Sequence, residues 1–276
     1  MVIFDIHSVL YNWDEARLHA LDAMFMELAD SSDVPKNILE SEANRIFRER
    51  GNREYPFIIQ ELPSLKRRHP LESFTKRYAS AISRYRESRD DLLRLEASVS
   101  YVLDTLRERG CLIVGICNAT IHDEKYRLQH LDLEKKLDMI YCSPVSFSEV
   151  SDDAQEESGE FPDWLYHQLG ASFSKPDPRL LLNILDAVPV APMNSMYVGG
   201  SLTFDMTMAA NAGVIAVWKK SAERIEKDYY WDGPRLTQCL PKGKSPKEPA
   251  LILEDSILEM LDFENGIQYL PYVARD

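Results

Sequence analysis

The chain has 276 residues, 45% of them hydrophobic and 10% aromatic, and carries a net charge of −13 from 32 Lys and Arg against 45 Asp and Glu. That length suits one large domain, or a core domain with a smaller one inserted, and allows a sizeable buried core. The acidic balance argues against broad nucleic-acid binding, and no run approaches the ~20 apolar residues that a membrane helix needs.

In chain order, Val2-Ile3-Phe4-Asp5-Ile6 is a short apolar run carrying one carboxylate, and it predicts a buried strand. The chain opens on this run without a basic leader or small-residue cleavage site, so we expect a soluble, cytoplasmic protein. Residues 14–29 place Leu18, Leu21, Phe25 and Leu28 on one helix face. Residues 35–95 keep a helical pattern, broken at Gly51, Pro56, Pro63 and Pro70. A helix over 97–109 ends at Gly110, and strand 112–117 follows. Then come helix 123–136, strand 139–142, helix 178–187, strand 195–198 and helix 203–212. Gly213, strand 214–218, strand 251–253 and helix 256–262 close the pattern.

Strands alternating with helices predict an α/β fold with a parallel, doubly wound sheet of the Rossmann-like kind. Residues 14–95 hold no clear buried strand. They are expected as a helical insertion in a core made of residues 1–13 and 96–276. Residues 144–163 are Ser-, Asp- and Glu-rich and are expected to be a mobile acidic insertion. Such sheets bind ligands at the carboxyl ends of their strands. Asp5, Cys117 and Gly199-Gly200 all fall at predicted strand ends, which is the physical reason to group them.

Charge is uneven. Residues 137–174 hold eight acids and no Lys or Arg, whereas residues 45–94 hold thirteen basic residues against seven acidic. Two solvated surfaces of opposite sign account for this; the sharper alternative is a basic segment that attracts an anionic substrate. Cys111, Cys117, Cys142 and Cys239 form no CxxC pair, and reduced, buried thiols are expected.

Four stretches together resemble the phosphatase-like branch of the haloacid-dehalogenase-like (HAD) superfamily, which carries a helical cap. Phe4-Asp5-Ile6-His7-Ser8-Val9-Leu10 is similar to the first motif, usually Asp-x-Asp-Gly-Thr-Leu. Val114-Gly115-Ile116-Cys117-Asn118 is similar to the second, a strand ending in Thr or Ser before Asn. Ser174-Lys175-Pro176-Asp177-Pro178 matches the third. Val198-Gly199-Gly200-Ser201-Leu202-Thr203-Phe204-Asp205 is similar to the fourth, usually Gly-Asp-Ser-x-x-x-Asp. Each is weak alone; their order spans nearly the whole chain. Residues 14–95 match the cap in position and helicity only.

The resemblance implies roles for particular residues. Asp5 would be the nucleophile that forms an acyl-phosphate and so splits one hard step into two. His7 stands where the family has its acid/base aspartate, and an imidazole can still protonate a leaving group; a satisfied surface histidine is the alternative. Cys117 stands at the phosphate-holding Thr/Ser, where a thiol is a weak donor and a small buried hydrophobe is the alternative. Asn118 matches the following Asn, and Lys175 the catalytic lysine. Gly200 replaces the first metal-binding aspartate. Asp205 matches the second, with a helix cap as its alternative. The implied Mg²⁺ ligands are therefore Asp5, the His7 carbonyl and Asp205, a depleted set that predicts weak binding or none.

Three functions are compatible with these residues. The first is an altered hydrolase acting on a small anionic, phosphorylated substrate through Asp5. The second is a non-catalytic member that binds a phosphorylated ligand or a protein. The third is a metal-independent hydrolase like the dehalogenases proper, which lacks support from an aromatic at position 7 or a Ser-Ser-Asn motif near Gly199–Ser201.

Overall fold

The computed structural model describes residues 1–50, 54–55, 57–68, 73–142, 162, 164–170, 175–222 and 248–261. It divides into two compact units: one holds residues 1–12 and the described residues from Arg94 on, the other holds Trp13–Leu93.

The first unit is built on seven parallel strands: β1 (Val2–Asp5), β2 (Ile113–Cys117), β3 (Met139–Cys142), β4 (Tyr166–Gln168), β5 (Met196–Gly199), β6 (Ile215–Lys219) and β7 (Leu251–Leu253). Their order in the sheet is β4-β3-β2-β1-β5-β6-β7. The central strands are apolar without alternation because both faces are covered, as parallel sheets require. The chain builds outward from β1 through β4 on one side, then crosses back to lay β5 against the other edge of β1. β1 is thus the switch point, and a crevice opens beyond its carboxyl end. Register fixes what meets there: Asp5 pairs with Ile116, one residue short of Cys117, and Phe4 pairs with Val198, one short of Gly199.

Helices α7 (Val99–Glu108) and α9 (Arg179–Ala187) bury Val99, Val102, Leu103 and Leu106, and Leu180, Leu181, Ile184 and Leu185, as their amphipathic patterns dictate. Helix α8 (Ile121–His130) differs, for its buried face carries Glu124 and Arg127 beside Leu128. The expected helix 123–136 starts earlier because Thr120 caps the amide of Asp123. It stops at His130, where Asp132 takes a left-handed φ of 53°, and only a short 3₁₀ turn, Glu134–Lys136, follows. The expected helix 203–212 divides into a π-helical turn, Leu202–Met206, and α10 (Thr207–Ala212). Helix 256–262 is a 3₁₀ turn, Ile257–Leu261. Strand β4 and the π-helical turn Ile6–Leu10 were not expected: the first is three residues long, and the second reads as apolar as a strand.

The second unit is helical. It comprises α1 (Trp13–Ser32), α2 (Lys36–Arg50), α3 (Ile58–Glu61), α4 (Pro63–Arg68), α5 (Phe74–Arg77) and α6 (Ala79–Leu92), with no strand among its described residues. The buried face of α1 includes Leu21, Phe25 and Leu28, while Leu18 is only partly covered. Among the described residues no helix is long and apolar enough to cross a membrane. Apart from Pro162, the acidic insertion 144–163 lies outside the described residues, as does Cys239. Cys111, Cys117 and Cys142 are reduced and buried.

Candidate active site

Asp5 ends β1 with its carboxylate at the switch point. Its Oδ1 meets the Lys175 ammonium at 2.9 Å, and its Oδ2 accepts from the Ser8 hydroxyl at 2.7 Å. The tight turn Ile6–Leu10 brings Ser8 back over Asp5. Lys175 also meets Asp205 Oδ1 at 2.8 Å, so one ammonium joins two carboxylates. Burial alone would push the Asp5 carboxyl above its ordinary range. The Lys175 charge and the hydrogen bonds from Ser8 and Lys175 outweigh burial and hold it below. For Lys175 burial opposes the charge, but Asp205 and Asp5 reverse the sign and hold the ammonium well above its ordinary value.

Asp205 does more than cap a turn. Its Oδ1 accepts from the Tyr197 hydroxyl at 2.9 Å as well as from Lys175. Its Oδ2 accepts from the amides of Gly200 at 3.0 Å and Ser201 at 2.9 Å. A carboxylate offers about four lone-pair sites, and these four donors take them.

This arrangement decides the fit to Mg²⁺, which demands a near-octahedral oxygen shell. Asp205 has no lone pair to give. Position 200 is glycine, and a Cβ there would lie 2.8 Å from the Ala222 Cβ and 2.9 Å from the Ser8 Oγ, so a carboxylate has no room. Asp5 and the His7 carbonyl alone remain of the expected ligands. The residues present therefore do not fit a resident Mg²⁺.

His7 meets a second set of groups. Its Nε2 sits 2.6 Å from Glu124 Oε2, and Glu124 Oε1 accepts from the Tyr11 hydroxyl at 2.9 Å. Glu124 is fully buried; burial raises its carboxyl, but the charge and hydrogen bond of His7, with Arg127, bring it below the ordinary range. The Arg127 guanidinium stands 3.2 Å from His7 Nε2 and 3.7 Å from Glu124. Donor atoms of His7, Cys117 and Glu124 lie within 4.8 Å of one another, a spacing a metal ion can use, but Arg127 already supplies the positive charge there.

Cys117 ends β2 fully buried, with its Sγ 3.4 Å from that of Cys142 on the next strand. Burial, then the contact with Cys142, pushes its thiol well above the ordinary value. It is a neutral, weakly polar group where the resemblance places a hydroxyl. Asn118 follows in an exposed bend. Asp5, Lys175, Asp205 and Gly200 thus come together directly, and His7 and Cys117 join through the network around Glu124. Sequence reasoning missed Ser8, Tyr11, Glu124, Arg127 and Tyr197. Only Glu124 and Arg127 left a signal: with Leu128 they share one face of α8.

No family model matches the chain. It is 24% identical over 245 residues to a glyceraldehyde 3-phosphate phosphatase from Methanopyrus kandleri, covering 87% of this chain and 90% of that one. Among solved structures it is similar to the HAD-hydrolase YfnB from Bacillus subtilis, solved bound to magnesium. That match has a TM-score of 0.53 and 16% identity, covering 96% of this chain and 97% of the other. It is also similar to a 2-haloacid dehalogenase from Pseudomonas syringae pv. tomato, with a TM-score of 0.50 and 18% identity over 95% of both chains. With its seven parallel strands, its carboxylate at the end of β1 and these neighbours, the chain has the fold of the haloacid-dehalogenase-like superfamily.

Proposed function

We propose that the protein is a HAD-type hydrolase that acts on a small phosphorylated substrate through Asp5. The observation that carries this is the buried Asp5–Lys175 pair at the switch point, which keeps the carboxylate ionised and beside a cation. The distant likeness to a sugar-phosphate phosphatase over most of both chains agrees with it. In this reading an Asp5 oxygen attacks phosphorus and the bond to the leaving oxygen breaks. That oxygen takes a proton from His7, which Glu124 orients. Water then hydrolyses the acyl-phosphate. Lys175 offsets charge on the phosphoryl oxygens. Cys117 and Asn118 line the phosphoryl side, and the helical segment 14–95 is the cap that selects the substrate.

The test is hydrolysis of a panel of phosphomonoesters, glyceraldehyde 3-phosphate and nitrophenyl phosphate among them, in Mg²⁺ and in chelator. Turnover that Asp5→Asn abolishes supports the reading; turnover that survives Asp5→Asn, or none on any ester, refutes it. The absence of any turnover favours a second reading, a catalytically silent member that binds a phosphorylated ligand. The filled position 200 and the saturated Asp205 are what commend it.

A further inference from the structure

Among the described residues two donors touch the Asp5 carboxylate, one on each oxygen: Lys175 on Oδ1 and Ser8 on Oδ2. The Ser8 Oγ also stands 2.9 Å from the point where a Cβ on Gly200 would lie. The hydroxyl therefore lies against both Asp5 and position 200, where the resemblance places a metal-binding carboxylate. Both walls of that space are held from the end of β6. The buried Lys219 ammonium donates to the carbonyl of Val9, in the turn that carries Ser8, at 3.2 Å. The Trp218 indole donates to the Gly200 carbonyl at 3.1 Å. Neighbouring hydroxyls are committed elsewhere: Tyr197 donates to Asp205 and Tyr11 to Glu124. Cys117 stands where the resemblance places a phosphate-holding hydroxyl, but its thiol faces the Ala119 carbonyl at 3.8 Å and the Cys142 sulfur at 3.4 Å.

From this placement we infer that Ser8 is a phosphate-holding residue: its hydroxyl takes the donor role that the Cys117 thiol fills poorly, and it stands in the place of a divalent cation. The inference rests on the reading of Asp5 as the phosphoryl acceptor, which sets the phosphoryl group against a carboxylate that Ser8 already touches. When an Asp5 oxygen bonds to phosphorus, the carboxylate loses its negative charge and charge gathers on the phosphoryl oxygens. Rotation about the Cβ–Oγ bond lets the Ser8 proton follow that charge, and the Lys175 ammonium follows it from Oδ1.

The rival role for Ser8 is solely to hold the Asp5 carboxylate, and the test separates the two. Asp5→Asn removes that carboxylate at nearly constant shape, and its neutral amide competes only weakly for the Ser8 hydroxyl. Binding of inorganic phosphate in chelator is measured by calorimetry, on the full chain, for Asp5→Asn and for Asp5→Asn combined with Ser8→Ala. Ser8→Ala should weaken binding about tenfold, the scale of one lost hydrogen bond to a charged group. Ser8→Cys in the same background, close in size but a weak donor, should weaken it too, and it tests the hydroxyl even where the alanine variant fails to fold. With Asp5 intact, Mg²⁺ should not tighten phosphate binding. Equal affinity with and without the Ser8 hydroxyl, no phosphate binding by Asp5→Asn, or tightening by Mg²⁺ would overturn the inference. The catalytic reading stands or falls separately, on Asp5-dependent turnover: a protein whose Ser8 holds phosphate but which hydrolyses no ester loses only that reading.

Discussion

Lys175 is the residue on which two buried carboxylates depend. A carboxylate with a depressed folded pKa adds stability above its unfolded value of about 3.9, and that stability is lost as pH falls through the folded value. Lys175→Met reverses the sign for Asp5, because burial then dominates and raises the folded pKa above the unfolded one. Stability is then lost as pH rises. The variant should therefore lie close to the parent at about pH 4 and fall well below it near pH 8, by ~3–5 kcal/mol, the cost of stripping a buried charge of its partner. Thermal melts at both pH values check this; a gap that does not widen with pH would show that Lys175 does not hold Asp5 ionised. His7 carries a second prediction at this scale. If it protonates the leaving oxygen, His7→Ala should cost roughly 10²–10⁴ in turnover on alkyl esters and far less on nitrophenyl phosphate, whose leaving group needs no proton. Equal losses on both would reject the acid role. Ser8 and Tyr197, which anchor two of these groups, were silent in the sequence because each acts through a contact that no motif spacing encodes, whereas Glu124 left only its place on the buried face of α8.

Among the elements, β2 and β5 each depend on a glycine, Gly115 in the middle of one and Gly199 at the end of the other. A Cβ on Gly199 would lie 2.5 Å from the Asp205 Cβ and 2.6 Å from its Cγ, at the root of a side chain pinned by four donors. A Cβ on Gly115 would lie 2.5 Å from the Ile6 Cδ1, the far end of a chain that can turn aside. Gly199→Ala should thus cost more than Gly115→Ala, toward the upper part of the ~1–3 kcal/mol range for overpacking. Urea denaturation of both variants measures the difference, and equal costs would mean that Asp205 yields more easily than its bonds imply. The long amphipathic helices and the apolar strands were readable in advance to within a few residues. The turns were not. Whether Ile6–Leu10 continues a strand or coils into a π-helical turn depends on the contacts its residues find, and its apolar pattern fits both.

At the level of the whole molecule, the helical unit Trp13–Leu93 leaves and rejoins the sheet-bearing unit at one place. Tyr11 and Leu95 form an antiparallel bridge, so the ends of the excursion are already close. Replacing residues 13–93 by a short Gly-rich linker should therefore close a small loop at little entropic cost. We expect a protein with reduced helical circular dichroism and a cooperative melt; a broad, non-cooperative transition would show that the sheet-bearing unit does not fold alone. The amino-acid sequence by itself determined the parallel α/β layering and the strand that carries Asp5. These follow from local periodicity and from apolar runs that only a doubly covered sheet can bury. Only the tertiary structure decided the chemistry of the crevice: which donors saturate Asp205, that Ala222 and Ser8 fill the space beside Gly200, and that Glu124 holds His7. For the pairing of Glu124 with His7 the physical reason is distance along the chain. Glu124 reaches His7 across 117 residues, and hydrogen bonds made over such separations leave no periodic trace.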